Sequence, residues 1–138
     1  MNELPMDKPN LLLVDDDVTF CSVLKPALEK RNFQVTVAND VDTAMKLAEQ
    51  TEPEYAVIDL RIGFDSGLEM VKKLISLDDN TQIVMLTGFA SIATAVEAIK
   101  LGATQYLAKP ANADEIVAAF NHSPDSNAPL KAQPTQIG

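Results

Sequence analysis

Four polar groups follow directly on apolar runs. They are Asp15-Asp16-Asp17 after Leu-Leu-Leu-Val, Asp59 after Tyr-Ala-Val-Ile, Thr87-Gly88 after Ile-Val-Met-Leu, and Lys109-Pro110 after Tyr-Leu-Ala. Singly, most have an ordinary reading: Asp17 as a helix N-cap, Thr87 as a turn hydroxyl, Lys109 as a solvated charge before a proline. Asp59 resists one, because an acid placed straight after four apolar residues is held near buried surface, where function is the commoner reason. As a set they suit metal-assisted phosphoryl transfer. Clustered carboxylates hold a hard, oxygen-seeking cation, with Mg²⁺ the natural choice, and the cation neutralises incoming phosphoryl oxygens. One carboxylate can then act as nucleophile and form an acyl phosphate, provided an ammonium also offsets the gathering charge. Lys109 supplies that ammonium, Thr87 a hydroxyl for the phosphoryl group, and Gly88 room for approach.

These residues can meet only if the chain brings their strands together. Five apolar runs, 10–14, 33–38, 55–58, 82–86 and 105–108, alternate with segments of helical spacing. Four are nearly continuous in apolar residues, as in parallel strands covered on both faces, whereas Phe33-Gln-Val-Thr-Val alternates like an edge strand. The pattern predicts an α/β fold with a doubly wound parallel sheet. In such a sheet the C-terminal ends of the strands share one edge, where ligands bind at the switch in strand order. The second strand contributes no polar group comparable with the others.

Start and stop signals mark the helices. Ser66 with Glu69, and Asn112 with Glu115, have capping-box spacing. Ile92, Ala95, Val96 and Ile99 form a stripe that stops at Gly102, a C-terminal cap. Pro26 inside the first helix removes one backbone bond and predicts a kink without a break. Cys21, on a face with Val18 and Leu24, is expected in the core, since a lone cysteine has no disulfide or metal partner.

At 138 residues and 46% hydrophobic, the chain suits one domain with one substantial core. The formal charge of −9 argues against its gripping nucleic-acid phosphates by itself. The start lacks the basic flank and apolar run of a signal peptide, no stretch approaches membrane-spanning length, and the cytoplasm is the expected location. Residues 122–138 are rich in Pro, Ser, Asn and Gln without periodicity, so the predicted organisation is an N-terminal tail at 1–9, a folded domain at 10–121 and a linker from 122.

From Leu11 to about Phe120 the chain resembles the receiver domain of two-component response regulators. The resemblance is carried by Asp15-Asp16, Asp59, Thr87-Gly88 and Lys109-Pro110 in this order and placement. It implies a flavodoxin-like sheet of order 2-1-3-4-5, with Asp59 as the phosphoacceptor for a sensor histidine kinase. It further implies Asp16 and Asp59 as direct Mg²⁺ ligands, Asp15 as a water-mediated one, and the Arg61 carbonyl as another. Thr87 and Lys109 would contact phosphoryl oxygens, and the Lys109-Pro110 bond would be cis. Tyr106 matches the family's aromatic switch position, and is equally readable as a half-buried strand aromatic. Phosphorylation would promote a homodimer through the fourth and fifth helices.

The segments TGFASIATAVEAIKLGATQYLAKPANADEI and DLRIGFDSGLEMV are similar to the RegA/ActR group of redox-responsive transcriptional regulators. That group follows its receiver with a Pro-rich linker and a Fis-like helix-turn-helix, so DNA contact is expected only through a domain absent from this chain. A natural single-domain regulator is the alternative. Gly63 stands where many receivers have proline, and is expected to loosen the loop after Asp59.

Three other classes fit less well. A hydrolase with an aspartyl-phosphate intermediate wants a second acid two residues after the nucleophile, where this chain has Arg61. A flavodoxin-like or nucleotide-binding protein wants a Gly- or hydroxyl-rich loop after the first strand, where three aspartates would repel phosphate. A degenerate receiver working only as a binding module would have lost part of the set, and all of it is present. His122, after Phe120, lacks a kinase's helical surroundings and is read as incidental. Arg61 and Phe89 flank the expected path of attacking water.

Overall fold

The computed structural model describes residues 8–88 and 92–120. Strands β1 (Asn10–Val14), β2 (Gln34–Ala38), β3 (Tyr55–Asp59), β6 (Gln82–Thr87) and β7 (Gln105–Ala108) form one sheet in the order β2-β1-β3-β6-β7, all pairs parallel. Between them run helices α1 (Val18–Glu29), α2 (Val41–Thr51), α3 (Leu68–Leu77) and α4 (Ile92–Leu101), with α5 (Ala113–Phe120) after β7. Two short strands, β4 (Arg61–Ile62) and β5 (Asp65–Ser66), make a separate antiparallel hairpin between β3 and α3. This is the doubly wound sheet of order 2-1-3-4-5 expected from the sequence, with the hairpin as an addition.

The alternation of each strand's side chains divides the core into two layers. Leu12, Val14, Ala56, Ile58, Ile83 and Met85 face α2, α3 and α4, where they meet Ala44, Ala48, Met70, Val71, Leu74 and Ala98. Leu11, Leu13, Val57, Val84 and Leu86 face α1 and α5, against Cys21, Leu24, Leu28, Ile116 and Phe120. Because both faces are covered, β1, β3 and β6 read as continuous apolar runs. β2, covered less completely, keeps Gln34 exposed and lies at the edge.

Local signals explain where helices start and stop. Asp17 caps α1 by accepting from the Phe20 N–H at 2.9 Å, and Asp40 caps α2 through Thr43. Asn112 and Glu115 exchange two bonds, as a capping box should. Ser66 does not. Its hydroxyl accepts from the Leu68 N–H, two residues on, while Glu69 pairs with Lys72, because Ser66 belongs to β5 and Gly67 takes the N-cap position of α3. Helix α1 runs through Pro26 unbroken. Gly102 ends α4 at φ +123°, and Ala103 N–H returns to the Ala98 carbonyl. The buried stripe of α4 is Ala95 and Ala98 rather than Val96, which is 39% exposed. Val18 likewise points outward, whereas Cys21 is buried as expected.

Candidate functional site

Strand order reverses at β1, so the chain leaves β1 towards one face of the sheet and β3 towards the other. A crevice opens beyond their C-terminal ends. It is an open cavity of about 640 Å³ whose lining includes Asp16, Asp59, Arg61, Gly63, Gly88 and Lys109. Asp15 lies beneath it, fully buried.

Asp15 is held on every side. Its Oδ1 accepts from the Asp17 N–H at 2.9 Å, its Oδ2 pairs with Lys109 Nζ at 2.9 Å, and its carbonyl accepts from Asn39 Nδ2 at 2.8 Å. Asn39 follows directly on β2, so the second strand does contribute to the shared edge, contrary to the sequence reading. An asparagine after a strand reads as a turn residue, and only the pairing of β1 with β2 shows which carbonyl it reaches.

Asp59 ends β3 at 7% exposure. One oxygen accepts from the Arg61 N–H at 3.2 Å and the other faces Lys109 Nζ at 3.3 Å. Burial pushes the Asp59 carboxyl above the ordinary carboxylate range, the Arg61 N–H opposes this, and the Asp15 charge adds to the rise. For Lys109, burial alone would lower the ammonium's pKa, but its bonds and attraction to Asp15 and Asp59 prevail and raise it. The lysine therefore stays charged between two acids. Its Nζ also stands 4.7 Å from the centre of the Phe20 ring.

Asp16 is exposed, and its Oδ2 accepts from the Gly63 N–H at 2.8 Å. Gly63 and Phe64 form the two-residue turn of the β4–β5 hairpin, with Gly63 at φ +63°. Proline could neither adopt that angle nor donate that bond. The glycine therefore closes the loop onto Asp16 and does not loosen it.

Asp15, Asp16 and Asp59 each present a carboxylate oxygen within 4.8 Å of the others. Three carboxylates gathered in this way offer the hard oxygen donors that Mg²⁺ takes, so the donor set fits such an ion. Arg61 lines the cavity beside them. Thr87 is buried at the end of β6, behind the lining residue Gly88. Tyr106 is half-buried, pairs in register with Met85, and lies on the sheet face that Thr87 shares. The Lys109-Pro110 bond is cis, as the resemblance implied. Phe89, His122 and the linker segment lie outside the described residues. Reasoning from sequence missed Asn39, Phe20 and Gly67, the last of which packs against the Asp59 carbonyl. Their types carry no chemistry that would single them out.

An acidic crevice of this kind, with one lysine bridging two of its acids at the switch point of a doubly wound sheet, defines a class. The chain matches the response regulator receiver domain over residues 11–121, and it belongs to that family. It is 47% identical over 115 residues to the acid tolerance regulatory protein ActR of Sinorhizobium medicae (strain WSM419), covering 83% of this chain and 59% of that protein. It is 48% identical over 118 residues to the photosynthetic apparatus regulatory protein RegA of Rhodobacter capsulatus, covering 86% and 64%. The chain thus spans less than two thirds of each relative's length. A response regulator from Burkholderia pseudomallei, crystallised with a phosphorylated aspartic acid, calcium ion and citrate, superposes with a TM-score of 0.77. That match is at 46% identity and covers 81% of this chain and 66% of that one. The protein is therefore a signalling domain of the two-component type. Among the described residues no helix is long and apolar enough to cross a membrane.

Proposed function

We propose that Asp59 accepts a phosphoryl group from a sensor histidine kinase in a Mg²⁺-dependent reaction, and that the resulting acyl phosphate switches the domain's surface to control an output. The observation that carries this reading is the convergence of three carboxylates within 4.8 Å of one another on a single lysine-bridged site. Asp16 and Asp59 would hold the metal directly, Asp15 through water, and the Arg61 carbonyl would complete the protein's share. Asp15 suits the indirect role because both its oxygens already accept bonds. When bound, Mg²⁺ supplies positive charge against the phosphoryl oxygens.

The chain's own groups do the rest. An Asp59 oxygen attacks phosphorus. The new O–P bond forms as the donor's N–P bond breaks, and the electron pair leaves on the imidazole nitrogen, which takes up a proton. Lys109 turns from Asp15 towards the phosphoryl oxygens, and the Thr87 hydroxyl bonds the same group. Movement of Thr87 frees space on its face of the sheet, into which the Tyr106 ring turns.

The domain proper is residues 10–121. Residues 122–138 act as a linker to a DNA-binding domain absent from this chain, so that the output is transcription. The added length of the related regulatory proteins supports that arrangement. We place the domain in the cytoplasm and expect phosphorylation to drive dimerisation through α4 and α5. Sedimentation with and without beryllofluoride should show a shift to dimer, and a single unchanged species would remove that part.

Incubation with acetyl phosphate and Mg²⁺ should add one base-labile phosphoryl group, located by mass spectrometry, and Asp59→Asn should abolish it. An unchanged adduct on Asp59→Asn, or none on the wild type, would overturn the acceptor assignment.

A further inference from the structure

Lys109 reaches the carboxylates across an aromatic ring. Its Nζ lies 4.7 Å from the Phe20 ring centre, inside cation–π range, and its side chain is only 20% exposed. The three contacts of this ammonium differ in how long they last. If Asp59 is the phosphoacceptor, the reading on which this inference rests, both carboxylates change partners as the site fills. Asp15 would turn to the water shell of a bound metal and Asp59 would become an acyl phosphate, so neither ion pair would hold Lys109 throughout.

The ring has no such exchange to make. Phe20 sits in the first turn of α1, where the Asp17 cap holds its N–H at 2.9 Å. Its side chain packs on the core layer that contains Leu13, Cys21, Leu24 and Leu86. A ring fixed from its backbone and from the core presents the same negative face before, during and after transfer. A lysine stem, by contrast, has four rotatable bonds and wanders unless held.

We propose that Phe20 is a positioning residue for Lys109: its π face keeps the ammonium over Asp59 while the ion-pair partners change. Simple packing against the lysine stem would need only an apolar residue of this size. A cation–π role needs the ring's electrons.

Fluorination of the ring separates the two, because it withdraws those electrons with little change in shape. The full chain carrying 4-fluoro-, 3,5-difluoro- or pentafluorophenylalanine at position 20 is titrated with beryllofluoride and Mg²⁺ by calorimetry, with urea unfolding as a check on the fold. Affinity should fall stepwise with fluorination, by about threefold to tenfold at the pentafluoro end. Phe20→Leu should lose a similar factor, while Phe20→Tyr and Phe20→Trp should retain wild-type binding. If Phe20→Leu does not fold, the fluorinated series decides. Flat affinity across that series would overturn the proposal and leave Asp59 as acceptor untouched. A wild type that does not bind beryllofluoride would instead remove the acceptor reading, and this proposal with it.

Discussion

Replacing Gly67 by alanine tests how tightly the acceptor strand is braced. An ideal Cβ at Gly67 would stand 2.3 Å from the Asp59 carbonyl oxygen, 3.2 Å from its carbonyl carbon and 3.1 Å from Ile58 Cγ2. Gly67 has φ −63° and ψ −14°, ordinary helical values, so alanine carries no conformational penalty of its own there. The whole effect is steric. Opening the contact from 2.3 Å to at least 3.0 Å means parting two backbones, since the obstructing atom cannot swing away as a side chain could. Gly67 N–H also donates to the Leu60 carbonyl at 2.8 Å, and that bond must stretch as the backbones separate. Overpacking costs typically 1–3 kcal/mol, and a backbone obstruction belongs at the top of that range, about 3 kcal/mol. With a urea slope of roughly 2 kcal/mol per M, the unfolding midpoint should fall by roughly 1.5 M. Because the displaced group is the peptide of Asp59, beryllofluoride affinity should fall as well, by about tenfold or more. Gly88→Ala is the control. A Cβ there meets no atom within 4 Å, so its midpoint should stay within about 0.5 kcal/mol of wild type. A Gly67→Ala variant with wild-type midpoint and wild-type affinity would refute the close packing of α3 against the end of β3.

Three further outcomes follow from the charges. Asp59 has a raised pKa in the folded protein, so its native form binds a proton more tightly than its unfolded form. Stability is therefore lost as pH rises from the ordinary carboxylate value through the raised one, and Asp59→Asn should be more stable at neutral pH by about 1 kcal/mol, with the gain vanishing below pH 3.8. Metal-free urea titrations across pH would show this, and a constant difference at all pH values would contradict it. Lys109→Met leaves Asp15 and Asp59 without their shared cation and should cost about 1–3 kcal/mol at neutral pH, regained as acid protonates Asp59. Urea midpoints that differ equally at pH 4 and pH 7 would argue against it. Mg²⁺ at a hundredfold excess over its Kd should stabilise the domain by about 2.7 kcal/mol, roughly 10 °C in Tm, reversed by chelation. Asp16→Asn should shrink that shift, which differential scanning calorimetry would measure.

The order of elements and the residues of the site were legible in the sequence because both depend on local chemistry. Continuous apolar runs identified β1, β3 and β6 as strands covered on both faces, but the same reading failed for 105–108, because β7 lies at the other edge of the sheet with none of its residues buried. The acids, hydroxyl and lysine drew notice because polar groups at the ends of such runs are costly unless used. Asn112 with Glu115 announced a helix start that the fold kept. Ser66 with Glu69 had the same spacing and misled, since the two-residue hairpin claimed Ser66 first. Ala95 and Val96 both lie at helical spacing from Ile92, and only the packing against α3 and β6 selected the alanine.

Tertiary structure decided what each group touches. Which carbonyl Asn39 reaches depends on β1 pairing with β2, and the placement of Phe20 beside Lys109 depends on α1 and the end of β7 meeting across the sheet edge. The meaning of Gly63 needed the hairpin that carries its N–H to Asp16, 47 residues away in sequence. Such contacts leave no periodic trace, because a ring, an amide or a glycine acquires its role from a neighbour brought by folding and not from its own spacing. The sequence by itself determined the chemistry available at the sheet edge. The fold determined that Asp15 is buried under Lys109, that Asp59 is pushed towards protonation, and that one lysine stands between them.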